Sequence, residues 1–283
     1  MTPWALALFL LSPLVLFPIA LRIERREPEG DPGGLLSLAL RVQPAAAPLL
    51  VVAFVLPPGL VAATLSLPWL ATTGLVALSG LVRVWRRGIP PLYALSRDAG
   101  LVFLSIGGVW ATLSRAGQRP LNLPDIVVFL TAVHFHYAGF ILPLATGWAG
   151  REAGGFLSRL TAVCVVAGVP FVAAGITVFQ LGRGMVLESI AAVLTAIGGF
   201  GCAALHVKLA LSRDWPRSAR ALWGLAAAAL SLGMLLALVY GLRTWVPTRG
   251  LDIPTMLAFH GSLNALGFAL PVTVGWWFSG RKR

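Results

Sequence analysis

Four histidines, His134, His136, His206 and His260, are the side chains best suited to chemistry here, and all lie in stretches apolar enough to cross a bilayer. An imidazole in lipid is costly unless it has a partner or a task, so each is a candidate proton, ion or ligand site. Residues four apart share a helix face and residues two apart do not. His260 and Asn264 therefore act together, whereas His134 and His136 cannot both bind one ion from an unbroken helix. At ~1.5 Å per residue, His260 lies ~10 Å, and His134 and His136 ~13–17 Å, from the outer ends of their spans, so these three are expected to meet near mid-membrane. Glu188 and His206 are five turns apart on one face, with Ala192, Thr195, Gly199 and Cys202 between them. That stripe is either a close helix contact or the wall of a pathway with an acid at its outer mouth.

The elements that position these residues follow from composition. A chain that is 58% hydrophobic and 11% charged, with mean hydropathy +0.85, is a polytopic membrane protein. Nine apolar windows are expected at about 4–21, 47–65, 69–83, 98–113, 125–147, 157–179, 185–207, 221–242 and 253–278, the length a bilayer requires. The expected fold class is an all-α bundle forming one integral membrane domain over 1–283.

With the N-terminus outside, seventeen Lys and Arg fall in cytoplasmic loops and five (Arg115, Arg119, Arg183, Arg243, Arg249) in external ones. This bias predicts N-out, C-in topology and accounts for the +12 net charge without nucleic acid. The first window has no Lys or Arg before it and a basic loop after it, the reverse of a cleavable signal. Cys164 and Cys202 imply no disulfide framework, and the loop from Glu24 to Asp31 reads as a solvated connector.

The fifth and ninth windows share a phrase. Gly139-Phe140-Ile141-Leu142-Pro143 with Gly147-Trp148 matches Gly267-Phe268-Ala269-Leu270-Pro271 with Gly275-Trp276, and His136 corresponds to Asn264. A parallel four-span repeat, about 47–147 and 157–278, would place a site between its halves. Asp125 and Asp252 are expected as helix N-caps, Arg97 and Asp98 as a surface ion pair, and Trp148 and Trp276 as interfacial anchors.

The run His134-Phe135-His136-Tyr137 resembles the haem-ligating segment of haem-copper oxidases, but too few histidines remain for a full oxidase. One bis-imidazole haem, or a metal ion on His136 and His260, stays open. The longer phrase His134 to Phe140, with His260 to Phe268, resembles the YndJ-like membrane proteins. That resemblance implies a multi-spanning bacterial inner-membrane protein, sometimes described as a transporter, and carries no mechanism.

Two functional classes compete. In a transporter, His134, His136, His260 and Asn264 would hold a proton or small solute, with Glu188 at the outer mouth. In an intramembrane isomerase or cyclase for a lipid or terpenoid, Glu188 or His136 would protonate the substrate and Tyr137, Phe135 and Phe140 would face the cation. A third, structural reading makes the histidines hydrogen-bond partners between helices. No phosphate-binding loop or HExxH signature is present, which disfavours nucleotide-driven transport and zinc proteolysis.

Overall fold

A computed structural model describes residues 2–27, 29–88, 90–246 and 250–280. Among them the regular structure is helical, without strands. Nine spans are long and apolar enough to cross a membrane: α1 Pro3–Glu24, α2 Pro32–Val55, α3 Leu60–Arg87, α4 Leu92–Arg115, α5 Asp125–Ala153, α6 Gly155–Gln180, α7 Met185–Leu211, α8 Arg217–Gly241 and α9 Ile253–Phe278. Four of the charges counted above, Arg249, Arg281, Lys282 and Arg283, lie outside the described residues.

Span number is as expected, but prolines shift several ends. The window 47–65 straddles a break: α2 ends at Val55, Leu56 is extended, and α3 starts at Leu60. Pro57 and Pro58 supply no backbone donor there, so the helix stops. Pro44, Pro48, Pro68 and Pro170 instead lie inside continuous helix. The connector after α1 is tied down rather than merely solvated, with the Asp31 carboxylate accepting from the Leu36 and Ser37 amides at 2.7 and 2.8 Å.

Three spans share a local distortion. In α1, α5 and α9 a π-helical segment (Ser12–Leu16, Tyr137–Ile141, Leu263–Ala269) ends just before Phe17-Pro18, Leu142-Pro143 and Leu270-Pro271. In each, the residue before proline donates its N–H five residues back: Phe17 to Ser12, Leu142 to Tyr137, Leu270 to Ala265. Proline clashes with the carbonyl four residues upstream, and widening the turn relieves that clash. Span α9 has a second π segment, Leu257–Gly261.

The chain forms two compact units, 1–90 with 98–144, and 91–97 with 145 onward. The boundary falls inside α5. In the first unit α3 meets α4 at Gly80, where an added Cβ would lie 2.7 Å from the Asp98 carbonyl. In the second, α6 and α7 approach through Gly168, Gly175, Gly198 and Gly201; a Cβ at Gly175 would sit 3.0 Å from the Glu188 Cα. Small residues permit such approaches between membrane helices.

Candidate functional site

Two histidines are spoken for. His136, fully buried, has Nδ1 2.8 Å from the Ala132 carbonyl, and its Nε2 accepts from Trp69 Nε1–H at 3.0 Å. His206, also buried, has Nδ1 2.9 Å from the Cys202 carbonyl and accepts at Nε2 from Trp276 at 3.1 Å. A carbonyl only accepts and an indole N–H only donates, which assigns both rings the neutral Nδ1–H form. Neither ring keeps a lone pair for iron or another metal. Among the described residues, no group of three or more His, Cys, Asp or Glu is placed to hold a metal ion.

His260 differs. Its Nδ1 lies 2.8 Å from the Gly233 carbonyl on α8, and the Asn264 amide nitrogen is 3.2 Å from both ring nitrogens while donating to the His260 carbonyl at 2.8 Å. Equal distances to the two nitrogens put the amide over the ring face, since an in-plane position would collide with the carbon between them. The amide therefore does not lie along the in-plane lone pair of Nε2, and the site is half-buried. Both residues sit in the π segments of α9, and Gly233 makes room for the amide, which a Cβ there would meet at 3.0 Å. π-Helical turns recur at functional sites.

The other expected residues are distributed as follows. His134 and His136 belong to the first unit, His260 and Asn264 to the second; the His134 ring stands edge-on to Phe135 at 5.3 Å. The Tyr137 hydroxyl donates to the Leu8 carbonyl. Glu188 accepts from Arg243 at 3.1 Å, and that guanidinium lies over Phe179 (4.7 Å) and Tyr240 (4.0 Å). The stripe between Glu188 and His206 is taken up by close contacts, Ala192 against Gly241, Thr195 against Gly168 and Gly199 against Met234.

Three sequence expectations are corrected. Trp148 and Trp276 are buried within the protein rather than facing outward as anchors; they face each other at 6.0 Å, and Trp276 meets Trp223 at 4.8 Å. Arg97 and Asp98 are buried because α4 begins earlier than expected. Asp98 bonds Arg87 and faces Arg83 at 3.7 Å. Asp125 does not cap α5: Pro124 holds the cap position, and Arg119 grips the carboxylate through Nε and Nη2, each at 2.6 Å. That hydrogen bonding, with the Asp125 charge, raises the Arg119 pKa. Asp252 does cap, accepting from the Thr255 amide at 2.8 Å, a bond that holds its carboxyl below the ordinary range.

The sequence reading missed the partners. Trp69 and Trp276 are 67 and 70 residues from the histidines they cap, and no spacing rule links them. It also missed a buried ion network, Arg83 to Glu24 at 2.6 Å and to the Gly30 carbonyl at 2.6 Å, and Arg87 to Glu29 at 2.9 Å. Only the identity of the groups, charged residues flanking spans, gave any signal.

The sequence model of the family described as YndJ-like protein matches residues 7–268. A curated relative, the uncharacterized membrane protein YndJ of Bacillus subtilis (strain 168), is 28% identical over 215 residues, covering 75% of this chain and 38% of the relative. The chain thus spans under two fifths of that relative's length. No solved structure matches.

Proposed function

The chain belongs to the YndJ-like family and is an integral membrane protein, and from that premise we propose that it is a proton-linked transporter of a small solute in a bacterial cytoplasmic membrane, oriented N-out and C-in. One observation carries this reading. Unlike His136 and His206, His260 has no indole on its Nε2 among the described residues, and it lies one turn before the Asn264 amide in the neighbouring π segment of α9. An imidazole with an unperturbed pKa of about 6.5 takes and releases protons near neutrality, and an amide beside it supplies a donor and an acceptor for a solute. Interrupted helices are where transporters expose such groups. Gly233 anchors the ring through its carbonyl, which leaves Nε2 as the working nitrogen. Glu188, paired with Arg243 at the first turn of α7, serves as the outer gate.

The test is proton movement into proteoliposomes, followed with an enclosed pH-sensitive dye under an imposed gradient and a panel of small solutes. Solute-dependent proton flux that falls more than about tenfold in His260→Gln, as expected for loss of the group that takes the proton, supports the reading. Wild-type protein that moves neither proton nor solute at any pH rejects it.

A further inference from the structure

Two arginines of the first unit are buried, Arg83 and Arg115. Arg83 is matched by Glu24 and Asp98. Arg115, the last residue of α4, is 6% exposed, and among the described residues no carboxylate pairs with it. Its guanidinium lies 4.2 Å over the Phe54 ring, Nη2 donates to Ser114 Oγ at 3.2 Å, and Nε has no acceptor. A guanidinium carries five donors, and here a single neutral hydroxyl serves them.

A ring face and a neutral hydroxyl leave the positive charge without a counter-charge and the buried Nε without an acceptor, and a charge drawn even partly out of water favours an opposite one beside it. What they lack is an anion. The backbone that carries it is held in place: the Gly59 amide donates to the Arg115 carbonyl at 2.8 Å, fixing the helix end. Phe54 packs in turn in a buried cluster with Phe9 (4.9 Å) and Phe129 (5.7 Å), which fixes the ring on which the guanidinium rests.

We propose that Arg115, seated on Phe54 beside Ser114, binds a phosphate-type oxyanion. The planar fork of arginine matches such oxygens in pairs. The headgroup of an anionic phospholipid and free inorganic phosphate share this chemistry, and the two are separable. The site is independent of His260 and stands whether or not the chain transports protons.

The experiment uses the purified full chain in detergent with two probes. One is phosphatidylglycerol against phosphatidylcholine, read as bound lipid by native mass spectrometry; the other is inorganic phosphate, read as a thermal shift at constant ionic strength. The expected result is that Arg115→Gln weakens one of these at least about tenfold, the weight of a charge-assisted pair, while Arg119→Gln, at an exposed arginine four residues on, leaves it unchanged. Loss confined to phosphatidylglycerol identifies a lipid site; loss of the phosphate shift identifies a site for a soluble oxyanion. If Arg115→Gln does not fold, Arg115→Lys keeps the charge without the fork and is expected to bind several-fold more weakly. No binding of either probe, or equal binding by wild type and the Arg115 variant, overturns the proposal.

Discussion

Replacing Trp276 by Phe removes one N–H from a site that has nothing to replace it. His206 is buried, with Nδ1–H committed to Cys202 and Nε2 accepting from Trp276 at 3.1 Å. Phenylalanine keeps an aromatic ring against Trp148 and Trp223 but strands Nε2, which costs about 1–3 kcal/mol for a buried unsatisfied acceptor. The smaller ring adds about 1 kcal/mol for the space it vacates. Averages for hydrogen bonds between membrane helices are lower, about 0.6 kcal/mol, so a total near 2–3 kcal/mol is expected. A double-mutant cycle of Trp276→Phe with His206→Leu isolates the pair. Unfolding of the micelle-embedded protein by added sodium dodecyl sulfate, followed by circular dichroism, supplies the four stabilities, and a coupling of about 1 kcal/mol is predicted. The same cycle at Trp69 and His136 should agree. Additive costs, with coupling within about 0.3 kcal/mol of zero, would refute the pinned-histidine reasoning.

Arg83→Ala removes the guanidinium that donates to buried Glu24 at 2.6 Å and should cost about 3–5 kcal/mol in the same unfolding assay; a cost below about 1 kcal/mol would mean that the network is hydrated. Gly147→Ala places a Cβ 2.5 Å from the Tyr93 carbonyl and should destabilise by about 1–3 kcal/mol. At Gly74 an added Cβ meets nothing within 4 Å, so Gly74→Ala should be neutral or stabilising by up to about 1 kcal/mol; the reverse order contradicts the close-approach argument. Because the Thr255 amide lowers the Asp252 pKa, the cap's contribution is present above the unfolded value of about 3.9 and is lost as pH falls through the folded value. Hydrogen-exchange protection at Ile253–Met256 should therefore hold at neutral pH and weaken only in acid, and an Asp252→Asn variant that kept the same acid response would exclude this carboxyl as its cause.

Nine spans were legible because membrane composition is a coarse and redundant signal. Their ends were not, because a proline stops a helix at Leu56 yet is accommodated at Pro44 and Pro48, and the difference depends on neighbouring helices. Asp252 was readable as a cap from its local position, whereas the same reasoning failed at Asp125 because Arg119 captured the carboxylate. Tryptophans near span ends read as interfacial anchors; Trp276 is instead spent on a histidine 70 residues away, and long-range partners leave no local pattern. The shared phrase of α5 and α9 does mark matching π segments, but α1 has the same distortion without the phrase, so the backbone feature follows the residue-proline pair rather than the full motif. His260 and Asn264 were readable as a pair because four residues is one helical turn.

His136 and His206 are structural pins, and the proposed proton chemistry falls to His260. Nitrogen-15 spectra of histidine-labelled protein in bilayers test this division directly. Two neutral Nδ1–H imidazoles are expected, each perturbed only when its own tryptophan, Trp69 or Trp276, is changed to Phe, together with a His260 signal that responds to bulk pH and disappears in His260→Gln. A His136 or His206 signal that follows bulk pH while His260 stays constant would contradict it.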